Sequence, residues 1–169
     1  MKFLIFSMIA IILYFLLFFA KWRKKGWQGF LYTLSYGYVC AIIYLTLLPI
    51  PNTWGLERFD GDYGNFIPFR DLKMGYRGAV KDIILNVVMM LPFGILFPQI
   101  RKNRLITTVS AGFLMSVLIE CLQLVATVFG SPYHSFDVTD IISNTTGALL
   151  GYILFRITTH CIAKDPKNS

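Results

Sequence analysis

Long apolar runs dominate the pattern of hydrophobic and polar positions in this chain. A bilayer core about 30 Å thick needs about 20 helical residues to cross it. Transmembrane β-strands are short and alternate between apolar and polar positions, whereas these runs are continuously apolar. The pattern predicts an all-α, polytopic transmembrane helical bundle, one membrane domain over residues 1–169. The five predicted spans are residues 3–20, 28–50, 83–100, 105–129 and 138–158.

The basic residues beside the spans predict the orientation. Residues 21–25 contain four Lys or Arg and residues 101–104 contain three, with no acid in either segment. Because short cytoplasmic loops carry such an excess, we expect the N-terminus and the loops 51–81 and 130–137 outside, and the tail in the cytoplasm. The first span has no cleavage site after it and is expected to remain as an anchor.

Composition agrees with an integral membrane protein, since 56% of the residues are hydrophobic and the mean hydropathy is +0.60. The net charge of +7 is divided among short loops, which favours contact with anionic lipid and excludes a nucleic-acid partner. The three cysteines, Cys40, Cys121 and Cys161, show no paired spacing. Neither a disulfide framework nor a zinc site is therefore predicted.

Polar side chains interrupt three of the apolar runs at helical spacing. In the fourth span, Ser116, Glu120, Gln123 and Thr127 follow one another at steps of four, three and four, which places them on one helical stripe. A stripe of this kind must face protein or water. It is unusual on a segment that is otherwise suited to lipid.

The fifth span carries a second stripe, made of Asp137, Asp140, Asn144, Gly147 and Gly151. Its polar half lies outermost. The two glycines remove side-chain bulk, so a neighbouring helix is expected to approach closely there.

In the third span, Asp82 and Asn86 lie one turn apart, and Pro92 predicts a kink deeper in the helix. At about 1.5 Å of rise per residue, Asn86, Gln123 and Asn144 each lie within about 10 Å of the outer end of their span. The agreement in depth predicts one outward-facing polar pocket.

The outer loop supplies a candidate lid over this pocket. Pro68 rigidifies a turn between Phe66 and Phe69, and both aromatic rings suit the membrane interface. Arg70 is the natural cation for the carboxylates. The predicted pocket residues are Asn65, Pro68, Phe69, Arg70, Asp82, Asn86, Glu120, Gln123, Asp137, Asp140 and Asn144.

A purely structural interpretation competes with the pocket. Asn86, Gln123 and Asn144 are explained equally well by hydrogen bonds between helices, and Asp137 suits the N-cap of the fifth span. Glu120 and Asp140 favour a functional role, because a buried carboxylate needs a cation, a proton or several donors. No nucleophile motif and no cofactor-binding motif is present, so catalytic residues stay unassigned, but a carboxylate-and-amide pocket suits a divalent cation.

Read in order, these elements resemble the VanZ-like family of bacterial membrane proteins over about residues 40–155. The shared pieces are N-F-I-P-F at 65–69, Asp82 with Asn86, P-F-G at 92–94, E-C-L-Q at 120–123, and F-D-V-T-D at 136–140 with Asn144, Thr145 and Gly147. Many members have an arginine shortly before the F-D-x-x-D element, where this chain has His134.

The resemblance implies a multi-pass protein of the bacterial plasma membrane, in a family named for an association with teicoplanin resistance. The leading hypothesis is a pocket that engages a lipid headgroup or an amphiphilic small molecule and lowers susceptibility to lipoglycopeptides. A hydrolase or transferase acting on a polar or undecaprenyl-linked lipid is the alternative, with Asp82, Asp137 or Asp140 holding a cation and Glu120 as general base. A structural scaffold of a membrane complex is the third hypothesis.

Overall fold

The computed structural model describes residues 2–47, 64–101, 104–128 and 136–163. His134 and the outer-loop residues 51–63, with the acids Glu57, Asp60 and Asp62, lie outside these ranges. The helices are α1 (Lys2–Leu17), continued by a π-helical turn (Phe18–Trp22), α2 (Trp27–Leu47), α3 (Arg70–Lys73), α4 (Ala79–Ile100), α5 (Leu105–Val128) and α6 (Val138–Ala163). Two short strands, β1 (Gly64–Asn65) and β2 (Phe136–Asp137), complete the described structure.

Within the described residues, five helices are long and apolar enough to cross a membrane, as the apolar runs predict. They cover Leu4–Trp22, Trp27–Thr46, Ala79–Ile100, Leu105–Ala126 and Val138–Cys161. Helix α4 begins at Ala79, earlier than the predicted residue 83, and it continues through Pro92 and Pro98. Neither proline ends the helix, and the kink at Pro92 stays a prediction.

The chain divides into two compact units, Met1–Tyr63 with Leu122–Ser135, and Gly64–Cys121 with Phe136–Ser169. In the first unit, aromatic side chains join the first two helices. The Tyr36 hydroxyl donates a hydrogen bond to the Ala10 carbonyl oxygen at 2.7 Å, and the rings of Trp22 and Tyr32 stack with centroids 5.9 Å apart. Tyrosine suits this position because its hydroxyl finds a partner while its ring packs.

In the second unit, α4 and α6 run parallel with their backbones in close approach. A Cβ atom at Gly147 would overlap the carbonyl oxygen of Val87, and one at Gly151 would lie 2.9 Å from the Cα of Gly94. Met90, which is 0% exposed, fills the space beside this contact. The close approach predicted from the glycine stripe is therefore present, and α4 is the helix that makes it.

The two strands form a parallel pair in which Gly64 lies opposite Phe136 and Asn65 opposite Asp137. The purely helical class predicted from the sequence does not include this pair, because two residues are too few to show a strand pattern. It attaches residues 64–65 of the outer loop to the two residues before α6. The pairing thus fixes the loop at the start of a candidate span.

Candidate functional site

Asp137 organises the N-terminus of α6. Its Oδ1 accepts a hydrogen bond from the backbone N–H of Thr139 at 2.6 Å, which is the N-cap interaction, and its Oδ2 accepts one from Asn65 Nδ2 at 3.2 Å. The Asn65 Oδ1 in turn accepts the backbone N–H of Ile67 at 3.2 Å. The side chain of Asp137 therefore has a structural task, as the N-cap interpretation expects.

Among the described acids, Glu120 is the most deeply buried, with only 1% of its surface exposed. Its Oε2 accepts the backbone N–H of Asp137 at 2.9 Å. That amide lies just before the first turn of α6, where unpaired backbone N–H groups and the helix dipole favour negative charge. The carboxylate is thus held by one backbone donor at a helix start.

Thr139, in the first turn of α6, joins that helix to the outer loop. Its Oγ1 accepts the backbone N–H of Phe69 at 3.0 Å, and the threonine is 7% exposed. Phe69 has φ 58° and lies in the left-handed region, which is costly for a residue with a Cβ. The hydrogen bond to Thr139 helps to offset this strain, which concentrates at functional sites and tight turns.

Asp140 lies at the centre of a group of acids. The Asn86 side chain lies beside its carboxylate, and Asp71, Asp82 and Asp137 lie near enough to act on it electrostatically. Glu120 interacts in the same way with Asp137 and Asp140. In the described parts of the chain, neither Glu120 nor Asp140 forms an ion pair with a basic side chain.

One turn below Asp140, Asn144 is 1% exposed and Ser116 is 0% exposed. The Nδ2 of Asn144 donates to Ser116 Oγ at 3.0 Å, so this bond joins α6 to α5. Among the described residues, the Oδ1 of Asn144 has no hydrogen-bond partner. An unsatisfied buried acceptor costs about 1–3 kcal/mol, and it is available to a donor from a ligand.

These side chains form one structure, which we name the polar site. Between Asp137 and Asn144 the helix rises by about 10 Å, so the site extends into the apolar part of α6. Its members all belong to the second unit. The polar site consists of Asn65, Asn86, Ser116, Glu120, Asp137, Thr139, Asp140 and Asn144.

Five predicted pocket residues are not members of the polar site; one is Phe69, whose backbone bonds to Thr139. Gln123 donates its Nε2 to the carbonyl oxygen of Thr46 on α2 at 3.3 Å, within the first unit. Pro68 and Asp82 are exposed. Arg70 is half-buried at the first position of α3, and within the described ranges it makes no ion pair with a carboxylate.

Two members of the polar site, and one acid beside it, were not predicted as pocket residues. Ser116 belongs to the predicted stripe of the fourth span, and Thr139 lies inside the F-D-V-T-D element, so both had a detectable signal. The acid is Asp71, which lies in the predicted outer loop 51–81. Its electrostatic contact with Asp140 depends on how the loop folds back, which spacing along the chain does not reveal.

Metal binding was left open by the sequence. In the portions of the chain with described coordinates, no group of three or more His, Cys, Asp or Glu side chains has an arrangement that could hold a metal ion. Both carboxylate oxygens of Asp137 also accept hydrogen bonds already, one from the Thr139 N–H and one from Asn65 Nδ2. The arrangement is suited to accepting hydrogen bonds and to attracting positive charge.

Comparison with known proteins identifies the family. The family model described as VanZ/LLP1 matches residues 35–159, a range that contains every member of the polar site. No curated protein and no solved structure matches the chain. Because the match covers most of the sequence and confirms the resemblance seen in the motifs, the chain belongs to the VanZ/LLP1 family.

Proposed function

We propose that the polar site is a ligand pocket on the outer side of a bacterial plasma membrane, and that it binds the headgroup of a lipid or of an amphiphilic small molecule. The observation that carries this proposal is Glu120, a carboxylate that is 1% exposed and that, among the described residues, has a single amide N–H as its hydrogen-bond donor. A carboxylate buried this deeply needs a cation, a proton or several donors. A bound ligand would supply them.

The electrostatics favour a positively charged ligand group. Glu120 and Asp140 interact with each other and with Asp137, and Asp140 also interacts with Asp71 and Asp82. An ammonium group matches this set, since it donates three hydrogen bonds and carries the opposite charge. The Oδ1 of Asn144, which has no partner among the described residues, supplies an additional acceptor. A headgroup or drug that bears a primary amine is thus the favoured ligand.

The association of the family with teicoplanin resistance gives the proposal a measurable phenotype, which is altered drug susceptibility. A lipoglycopeptide joins a polar part to a lipid tail, and it acts at the outer surface of the cell. Engagement of such an amphiphile, or of a lipid that governs its insertion, would lower susceptibility to teicoplanin-type compounds. The predicted orientation, with the N-terminus outside, would open the polar site to that surface.

Glu120→Gln is the central test because it keeps the shape of the side chain and an acceptor for the Asp137 N–H while removing the charge. The chain and the variant are expressed at matched membrane levels in a susceptible Gram-positive host, and minimum inhibitory concentrations of teicoplanin and vancomycin are measured. We expect the intact chain to raise the teicoplanin value and Glu120→Gln to abolish that rise. Thr146→Val, which removes an exposed hydroxyl bonded only to its own helix, is the matched control.

The outcomes separate this proposal from its competitors. Loss of folded protein in Glu120→Gln, in parallel with loss of phenotype, would support the scaffold hypothesis and refute the pocket. Product release from a polar lipid by the purified chain would favour the hydrolase or transferase. An unchanged inhibitory concentration for both drugs with the intact chain would refute the link to lipoglycopeptides.

A further inference from the structure

A second surface beside the polar site combines exposed apolar side chains with basic ones. Residues 66–81, which we name the interfacial segment, contain four Lys or Arg and one acid, a net charge of +3. Most of its large apolar residues are 45–73% exposed, whereas Phe69 is half-buried. The exposed ones are Phe66, Ile67, Leu72, Met74, Tyr76 and Val80.

The interfacial segment is folded, so its exposed residues are held outward. The N–H of Met74 donates to the Arg70 carbonyl oxygen at 2.9 Å, and that of Tyr76 donates to the Asp71 carbonyl oxygen at 2.9 Å. Phe66 stacks on Phe136 with ring centroids 5.3 Å apart, yet it is still 66% exposed. Backbone groups that bond internally make such a segment compatible with a low-polarity boundary.

Its position places it at the edge of the apolar layer. The β1–β2 pair attaches one end of the segment to the residue before α6, and the other end leads directly into α4 at Ala79. Both helices are candidate spans that begin there. Aromatic and basic side chains at the ends of spans are typical of residues in the headgroup region.

We infer that the interfacial segment binds the headgroup layer of the adjacent leaflet, with Phe66, Met74 and Tyr76 inserted among the upper acyl carbons and Lys73, Arg77 and Lys81 paired with anionic lipid phosphates. The apolar side chains supply insertion and the basic ones supply the preference for anionic lipid. All three basic side chains are exposed. Their sign is opposite to that of the neighbouring acids, so this surface and the polar site recognise different chemical groups.

The test uses the full chain in nanodiscs of mixed phosphatidylglycerol and phosphatidylcholine. Met74 is 73% exposed and is replaced by Cys, on a background without the native cysteines, to carry an environment-sensitive fluorophore. Either phosphatidylglycerol or phosphatidylcholine is brominated on its upper acyl carbons at equal mole fraction. The ratio of quenching by the two brominated lipids reports the local lipid composition at position 74.

We expect blue-shifted emission and stronger quenching by the anionic lipid. One basic residue near an anionic surface gives about a fivefold preference, so the double variant Lys73→Gln with Arg77→Gln should lower the quenching ratio by about fivefold or more, and salt should lower it similarly. The matched control, Lys21→Gln with Lys24→Gln, removes two exposed charges from the basic segment 21–25. It should leave the ratio at position 74 unchanged.

Three results would overturn this inference. Water-like emission without quenching would mean that the segment faces solvent, and blue-shifted emission without quenching would mean that protein covers it. Equal quenching by the two lipids would remove the anionic preference. Glu120→Gln is expected to leave the ratio unchanged, so this experiment and the test of the polar site fail independently.

Discussion

The contact between α4 and α6 makes a quantitative prediction about Gly147. A Cβ atom there would overlap the carbonyl oxygen of Val87 and lie 3.0 Å from its carbonyl carbon and 3.1 Å from the Cβ of Met90. Backbone atoms cannot rotate away, so Gly147→Ala forces the two helices apart. Overpacking of this kind costs about 1–3 kcal/mol, and loss of the close contact adds to it, whereas the gain in helix propensity is at most about 1 kcal/mol.

Gly37 on α2 is the matched control, because a Cβ there would have no neighbour within 4 Å. We expect Gly37→Ala to be neutral or stabilising by up to about 1 kcal/mol and Gly147→Ala to be destabilising by about 2 kcal/mol, a difference of about 2–3 kcal/mol. Equilibrium unfolding in mixed micelles, followed by folded fraction as dodecyl sulfate increases, measures both. Equal unfolding midpoints for the two variants would refute the close packing of α4 on α6.

Further predictions concern the start of α6 and the loop attached to it. Asp137→Ala should destabilise the protein by about 0.5–2 kcal/mol because it removes the N-cap, whereas Asp137→Asn keeps the acceptor for the Thr139 N–H; similar unfolding midpoints for the two variants would contradict this role. Phe69→Gly should be more stable than Phe69→Ala by about 1 kcal/mol, since only glycine adopts a positive φ without cost, and the reverse order would exclude the left-handed conformation. A cysteine at position 65 or 137, on a background without native cysteines, should react with an impermeant thiol reagent applied outside the cell. Labelling only after lysis would reverse the predicted orientation.

The structure favours the structural interpretation for some of the polar residues and the ligand interpretation for others. Asp137 and Asn65 satisfy each other and cap α6, which is a structural task. Glu120 and Asn144 differ, because each is 1% exposed while the carboxylate has no described cation beside it and Asn144 Oδ1 has no described partner. Glu120 and Asn144, the deeply buried members of the polar site, therefore support the ligand proposal. Asp137 and Asn65, at its rim, support a role in stability.

Much of the site was accessible from periodicity alone. The 3.6-residue repeat placed Ser116 with Glu120 on one face and Asp140 with Asn144 on another, and these faces meet, as the bond from Asn144 to Ser116 shows. Gln123 lies on the same predicted stripe as Glu120, yet it bonds to Thr46. Periodicity fixes the face of a helix, but a long helix contacts different neighbours along its length, so a shared stripe does not imply a shared partner.

The sequence by itself determined the class of the protein, the number of long apolar helices, the family and the glycine surface for close packing, because apolar length and helical spacing are local properties of the chain. Tertiary structure decided that residues 64–65 pair with 136–137, that Phe69 adopts a positive φ against Thr139, and that Glu120 accepts the amide of Asp137. Each of these contacts joins residues distant in sequence through one or two hydrogen bonds. A contact that involves so few residues leaves no periodic pattern in the chain.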